Sequence, residues 1–227
     1  MKGFGTDEKM LIRHLADKDP LQVEVIRNTY NKLHKRHLLT DVQSEVSGYF
    51  EEGLCAIIRG PLQQDVVLLH DAMDGPGTKE QVLNDVLLGR SNADLHAIKS
   101  LYQRTYHQTL ESAIKADLSM KTERHFLMVL AANRNEESTP INPQDIDNKA
   151  LELYKATEGK VGTDELLVCN ILTQNSDSQI RAIATAYKAK YSRDLETVIK
   201  KVWSYSTGLF LFANIRCRNF LATWKML

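Results

Sequence analysis

The chain has 227 residues, of which 43% are hydrophobic and 26% are charged. This composition excludes intrinsic disorder, a collagen-like chain and a disulfide scaffold, and it is sufficient for a packed core. The 29 basic and 29 acidic residues cancel to a formal net charge of +0. Since no overall charge attracts nucleic acid or an anionic membrane, such a partner needs a local site, and we predict no nucleic-acid partner.

The cysteines and the chain start predict a cytoplasmic protein. Cys55, Cys169 and Cys217 are widely spaced within apolar runs and form no CxxC pair. We interpret them as reduced, buried residues, with a redox role as the alternative. The amino terminus lacks an apolar signal region, and the longest apolar stretch, 209–213, is too short to span a bilayer.

A sequence repeat organises the chain. The segment Gly3-Phe4-Gly5-Thr6-Asp7-Glu8 returns 72 residues later as Gly75-Pro76-Gly77-Thr78-Lys79-Glu80, and a partial third copy reads Gly162-Thr163-Asp164-Glu165. One register held over this length indicates an array of similar units. Apolar positions that keep the register are Leu11 and Leu83, Leu15 and Leu87, Ile26 and Ile98, Tyr30 and Tyr102, and Leu38 and Leu110, with Leu172, Ile183, Tyr187 and Leu195 in the third copy.

Apolar residues within each unit are spaced as in amphipathic helices, and no segment alternates as a strand does. We therefore predict an all-α fold with five short helices in a full unit, one before the glycine turn and four after it. Predicted helix N-caps are Thr6, Thr78 and Thr163, and predicted first-turn prolines are Pro20, Pro61 and Pro143. The polar stretch 133–144 predicts a linker between the second and third units.

The glycine turns offer half of a cation site. A Gly-x-Gly turn permits positive φ angles, which direct successive carbonyl oxygens into one concavity. A hard cation such as Ca²⁺ takes roughly six to eight oxygen ligands, commonly carbonyls plus a bidentate carboxylate. Glu45 and Asp117 each lie 40 residues beyond the second glycine of their turn, Gly5 and Gly77. A helix C-cap followed by a threonine N-cap is the purely structural alternative for each turn.

These residues resemble the annexin family. The resemblance rests on the motif from Met1 to Glu8, the segment Ser44-Glu45-Val46-Ser47-Gly48, the 72-residue shift and the longer second linker, and it covers essentially the whole chain. It implies an array of five-helix repeats packed into a slightly curved disc. The expected segments are repeat 1 without its first helix at 1–60, repeat 2 at 61–132, a linker at 133–145, repeat 3 at 146–216 and the remnant start of repeat 4 at 217–227.

The resemblance implies calcium-dependent binding to acidic phospholipid membranes, with Ca²⁺ bridging the protein to lipid phosphates. The expected protein is cytoplasmic and becomes peripheral to the membrane when calcium is present. Carried over by position, the first metal site uses the carbonyls of Met1, Gly3 and Gly5 with the carboxylate of Glu45, and the second uses Met73, Gly75 and Gly77 with Asp117. Secondary sites pair Thr6 with Glu8, Thr78 with Glu80 and Thr163 with Glu165; acids in the first helical turn are the equally favoured alternative for these residues.

The third unit departs from the pattern, and so do the ends. Lys160 stands where the first glycine is expected, and Val202 stands at the carboxylate position, so we expect the main site of repeat 3 to bind calcium poorly. The usual annexin has four repeats, which implies a shortened isoform or part of a longer protein. Missing partners would expose apolar faces of repeat 1, so either lower stability or self-association is expected.

Two further features complete the sequence-based prediction. Asp65, Asp85 and Arg90 occupy positions that match the charged central passage of annexins; an inter-helix salt-bridge cluster is favoured over ion conduction. No nucleophile elbow, HExxH, Walker A or GxGxxG motif is present, so no catalytic residue and no enzyme activity are predicted. The alternative to membrane binding is a calcium-independent helical scaffold that binds protein partners through decayed annexin repeats.

Overall fold

The computed structural model describes residues 6–159 and 163–202, which form thirteen α-helices and, within these ranges, no β-strand. The all-α class is therefore confirmed. The helices are α1 (Glu8–Leu15), α2 (Pro20–His34), α3 (Leu38–Glu45), α4 (Gly48–Arg59), α5 (Pro61–Met73), α6 (Glu80–Leu87), α7 (Asn92–Tyr106), α8 (Leu110–Asp117), α9 (Met120–Leu130), α10 (Pro143–Thr157), α11 (Glu165–Gln174), α12 (Asp177–Tyr191) and α13 (Leu195–Val202). Segment 217–227, the expected start of repeat 4, lies outside the described residues.

The chain divides into two compact units, Met1–Leu68 and Leu69–Leu227, with the boundary inside α5. The first contains α1 to α4 and the beginning of α5. On its surface, α2 leaves Leu21, Val25 and Leu33 largely exposed. The second contains the end of α5 and helices α6 to α13. No helix among the described residues combines the length and the apolar character needed to cross a bilayer.

Buried positions follow the sequence repeat. Leu15 and Leu87, which share a register position, are both buried, and so are Tyr102 and Tyr187. Fully burying a side chain of this size contributes about 1.5–3 kcal/mol, so the repeated apolar positions account for a large part of the stability of each unit. The core of the first unit consists of Leu15, Val23, Leu38, Val42, Leu54, Cys55 and Ile58.

Helices α2, α7 and α12, one from each repeat, have the same length and the same ends. Each has 15 residues, begins with a reciprocal capping box and ends at a residue in the left-handed conformation. The boxes satisfy two main-chain N–H groups at each helix start and so define where the helix begins. Their N-cap and N3 residues are Asp19 and Gln22 in α2, Ser91 and Asp94 in α7, and Ser176 and Gln179 in α12.

Helix starts confirm one local prediction and correct another. Prolines do occupy the first position of α2, α5 and α10. The N-cap prediction for Thr6, Thr78 and Thr163 is wrong by one residue, since the N-caps are Asp7, Lys79 and Asp164. For the first two threonines the reason is that the hydroxyl hydrogen-bonds a carboxylate far along the chain instead of the first helical turn.

Two of the three cysteines lie within the described residues, and both are free and buried, as predicted. Burial raises the pKa of the Cys169 thiol to about 12 and raises that of Cys55 in the same direction. A thiol that stays protonated is a weak nucleophile, so these two residues act as small apolar groups of the core. Cys217 lies outside the described residues.

Candidate functional site

The turn between α5 and α6 is shaped by its two glycines. Gly75 has a φ of 102° and Gly77 a φ of 84°, angles that L side chains rarely adopt. A Cβ atom at either position would meet nothing within 4 Å, so the need for glycine is conformational and not a matter of crowding. The main-chain N–H of Lys79 donates to the carbonyl of Ala72 at 2.9 Å and closes the turn.

The structure brings one carboxylate to this turn. Asp117 is the last residue of α8, and its Oδ2 accepts a hydrogen bond from the hydroxyl of Thr78 at 2.5 Å, across 39 residues of sequence. Thr78 directly follows Gly77, so the acid that shares a register with Glu45 lies beside the second glycine. Among the described residues no group of three or more His, Cys, Asp and Glu side chains gathers. The predicted ligand set does not need one, since it uses one carboxylate with main-chain carbonyls.

The same contact recurs in the first unit. Glu45 is the last residue of α3, and the hydroxyl of Thr6 lies 2.8 Å from its Oε2 and 2.9 Å from its main-chain oxygen. These two residues are also 39 positions apart, so the threonine-to-acid pairing repeats in register. The other predicted ligands of this site, Met1, Gly3 and Gly5, lie outside the described residues.

The third turn is one residue longer than the second. The main-chain N–H of Asp164 donates to the carbonyl of Ala156 at 2.9 Å. This hydrogen bond is equivalent to the one from Lys79 to Ala72 that closes the second turn. Gly159 follows Ala156 by three residues, as Gly75 follows Ala72. Lys160 precedes Thr163 by three residues, as Gly75 precedes Thr78. Which of the two matches Gly75 therefore depends on the end of the turn from which positions are counted. A Cβ on Gly159 would lie 2.9 Å from the Cα of Lys155, so this glycine is required by close packing.

The prediction for the third site depends on Lys160 and Val202. Lys160 lies outside the described residues. Val202 is the last residue of α13, and only its main chain is described. The weak binding expected of this repeat accordingly stays a prediction.

Glutamates next to the turns have different surroundings. Glu165 forms an ion pair with Lys121 of α9, at 2.8 Å between Oε1 and Nζ, and its Oε2 is buried without a hydrogen-bond partner among the described residues. Glu80 is half-buried, and this burial raises its pKa. Glu8 is exposed at the start of α1, and Thr163 is half-buried. The ion pair with Lys121 was not predicted, because the two residues belong to different repeats.

A second acid of the third turn is also held by protein groups. Glu158 accepts a hydrogen bond from the hydroxyl of Tyr187 at 2.9 Å on Oε2, and from Arg193 at 2.5 Å on Oε1. Burial, together with the charge of this carboxylate, raises the pKa of Tyr187 to about 12. Glu158 therefore ties the end of α10 to α12, a role that no local sequence signal indicates.

The residues of the predicted central charged cluster are placed separately. Asp65 is buried on α5 in the first unit. In the second unit, Asp85 accepts a hydrogen bond from Gln81 at 2.9 Å, and the Nε of Arg90 donates to the carbonyl of Val86 at 3.0 Å. A salt-bridge cluster of all three stays a prediction, because the two units are described individually.

Comparisons with known proteins identify the family of the chain. The family model for Annexin matches residues 1–57, 64–129 and 149–204 of the chain. The chain belongs to the annexin family. It is 41% identical to annexin C1 of Cryptococcus neoformans var. grubii over 203 residues, which are 89% of this chain and 43% of that protein.

Other relatives and solved structures are consistent with this membership. The chain is 34% identical to human annexin A13 over 216 residues, covering 95% of this chain and 68% of the relative. It superposes on the structure of annexin III with a TM-score of 0.91 and 29% identity, covering 96% of this chain and 67% of that one. The chain spans less than half of annexin C1 and about two thirds of annexin A13. Family membership supports Ca²⁺ as the ligand expected from the sequence.

Proposed function

We propose that this annexin chain binds membranes containing acidic phospholipids in a calcium-dependent manner, through the glycine turns of its first two repeats. The observation that carries the proposal is the pairing of Thr78 with Asp117, repeated as Thr6 with Glu45. Asp117 lies beside the glycine turn that precedes α6, and Glu45 is held in the same way by the threonine that precedes α1. A carboxylate beside a carbonyl-rich turn is the oxygen donor set that Ca²⁺ prefers.

In the second repeat, the carbonyl oxygens of Met73, Gly75 and Gly77 and the carboxylate of Asp117 would hold the ion. Three carbonyls and one bidentate carboxylate supply about five of the roughly six to eight oxygens that Ca²⁺ takes. The remaining positions go to water, so affinity in the absence of lipid is low. Thr78 keeps Asp117 directed at the turn, which reduces the ordering needed when the ion arrives.

Membrane binding follows from the open coordination positions. A lipid phosphoryl oxygen can replace the bound water, and calcium affinity and membrane affinity then increase each other by the same factor. A protein with a formal net charge of +0 gains little general attraction to an anionic surface. The bound cation supplies the local positive charge that the chain lacks.

The third repeat contributes less in this proposal. Glu158 is engaged by Tyr187 and Arg193, and Glu165 is ion-paired with Lys121. A cation at the third turn would have to compete with these protein donors. We therefore assign the calcium response mainly to repeats 1 and 2.

Vesicle sedimentation across a calcium titration tests the proposal. The wild type should sediment with phosphatidylserine vesicles only when calcium is present, and stay in the supernatant with phosphatidylcholine vesicles. The double variant Glu45→Gln, Asp117→Asn should lose this response while remaining folded. The matched control Glu52→Gln, Asp147→Asn removes one carboxylate of each type from exposed positions on α4 and α10 and should bind as the wild type does.

Either of two results would reject the proposal. The first is a folded wild type that stays in the supernatant at millimolar calcium, which favours a calcium-independent scaffold. The second is calcium-dependent sedimentation that the double variant retains, which would place the working sites elsewhere.

A further inference from the structure

Two large hydrophobic side chains point into solvent directly after the two carboxylates. Tyr49 is 92% exposed and Met120 is 81% exposed, the highest values among large hydrophobic side chains of the described residues. Tyr49 follows Glu45 by four residues in the first unit, and Met120 follows Asp117 by three in the second. Neither residue contributes to the core of its unit.

The backbone around the two residues is nearly identical. Ser47 and Ser119 are the N-caps of α4 and α9, with φ and ψ of −145° and 168° in the first case and −132° and 159° in the second. The next residue is left-handed in both, Gly48 with a φ of 64° and Met120 with a φ of 52°. The 72-residue shift pairs these two positions. Repeat 2 thus places a long apolar side chain where repeat 1 has glycine.

Packing does not explain the methionine. A left-handed backbone is unfavourable for a residue with a Cβ, and glycine adopts it freely. A Cβ built on Gly48 would meet nothing within 4 Å, so this position faces open space in repeat 1. Met120 is strained and exposed at the same time. Strain at an exposed apolar residue beside a binding site points to a ligand that the side chain contacts.

From this geometry we infer that Tyr49 and Met120 are hydrophobic membrane contacts, which enter the interfacial layer of the bilayer when the neighbouring carboxylate holds its cation. The inference rests on the proposed calcium-dependent binding and adds a direct contact between protein and lipid that the cation does not bridge. A tyrosine ring suits this layer because one end is apolar and the other polar. Methionine suits it because its flexible chain adapts to irregular apolar surroundings.

The reach of the chain agrees with this role. Extended backbone covers at most about 3.6 Å per residue, so the Cα of Tyr49 lies within about 14 Å of that of Glu45, and the Cα of Met120 within about 11 Å of that of Asp117. The polar headgroup layer is about 5–10 Å deep. The boundary of the acyl chains therefore lies within the distance that these side chains can cover from a phosphate-bound cation.

A bilayer fits these contacts better than a protein partner does. Tyr49 follows the exposed Ser47 and Gly48, and Met120 lies between the exposed Ser119 and Lys121. The core of a protein interface is a contiguous apolar area. A bilayer accepts single apolar side chains that stand apart from one another.

Vesicle titration at saturating calcium tests the inference with Tyr49→Ser and Met120→Gly. Each variant should bind phosphatidylserine vesicles about tenfold more weakly, the change expected from partly losing one buried apolar side chain. Calcium binding without vesicles, measured by calorimetry, should be unchanged. Met120→Gly is expected to fold, because Gly48 already adopts the same conformation. The matched control Leu21→Ser removes an apolar side chain that is 75% exposed on α2 and should bind as the wild type does.

A second measurement detects the contact directly. With ¹³C-methyl methionine, the Met120 signal is identified by its loss in Met120→Gly. A spin label on the lipid acyl chain should broaden this signal only when vesicles and calcium are both present. Wild-type affinity in both variants, or an unbroadened Met120 signal in bound protein, would overturn the inference.

The design separates this inference from the proposed function. If the wild type binds, Glu45→Gln, Asp117→Asn abolishes binding, and Tyr49→Ser and Met120→Gly bind normally, only the inference fails. If the wild type does not bind in calcium, both fail.

Discussion

Replacing Thr78 with valine tests the contact on which the candidate site depends. Valine has nearly the shape of threonine but lacks the hydroxyl that donates to Oδ2 of Asp117 at 2.5 Å. The substitution leaves that carboxylate oxygen without this donor and frees the side chain to turn away from the glycine turn. Both stability and calcium affinity should therefore fall.

The size of the effect follows from the charge and burial of the pair. A hydrogen bond to a charged group contributes about 1.5–3 kcal/mol when it is well shielded. Thr78 and Asp117 are half-buried, so solvent screens part of this contribution. We expect Thr78→Val to lower the free energy of unfolding by about 1–2 kcal/mol. Calcium affinity at the second turn should fall about tenfold, as is typical when a group that orients a metal ligand is removed.

Urea unfolding and calcium calorimetry measure the two effects. The control is Thr105→Val, since Thr105 donates to the carbonyl of Leu101 within α7 at an exposed position. That variant should change the free energy of unfolding by less than about 0.5 kcal/mol and leave calcium binding intact. If Thr78→Val and Thr105→Val are indistinguishable in both assays, the reasoning about the Thr78 to Asp117 contact is refuted.

Two further substitutions test local geometry. Gly77→Ala should lower the free energy of unfolding by about 1–2 kcal/mol because Gly77 has a φ of 84°. Gly53→Ala, inside α4, should raise the free energy of unfolding by about 0.5–1 kcal/mol. Both are measured by urea unfolding, and changes of equal sign would contradict this reasoning. Glu137→Gln should cost about 1 kcal/mol at neutral pH, because Glu137 accepts hydrogen bonds from the main-chain N–H groups of Asp177 and Ser178 at the start of α12. Burial alone would raise the pKa of Glu137, but these bonds lower it below the usual 4.5, so its contribution is complete above that pH and is lost as the pH falls through the lowered value. Urea unfolding from pH 7 into acid should show the difference between variant and wild type disappearing; a difference that persists would contradict this assignment.

The repeat made much of the fold predictable. Apolar positions such as Leu15 and Leu87, or Tyr102 and Tyr187, recur in register and are buried, while Tyr30 at the matching position of the first repeat is half-buried. Helix periodicity and first-turn prolines are properties of short segments, so they can be read without knowing how helices pack. The register match of Glu45 with Asp117 is also visible in the structure, since each accepts a hydrogen bond from the threonine 39 residues before it.

The errors and omissions concern contacts between distant residues. The threonines were expected to cap the helices that follow them, but the hydroxyls of Thr6 and Thr78 bind acids 39 positions away. The one-residue difference in the third turn was hidden because a count along the sequence does not show which main-chain groups pair across the turn. Both outcomes depend on how helices approach one another.

By itself the sequence determined the all-helical class, the register of the repeats and the pairing of Asp117 with the second glycine turn. These follow from periodicity and from residues a few positions apart. Only the tertiary structure decided which donors bind the carboxylates, as in the ion pair of Lys121 with Glu165. It also decided which apolar side chains stay outside the core, as Met120 does. The physical reason is that hydrogen bonding and burial depend on the distance between side chains in space, which packing sets and the local sequence does not.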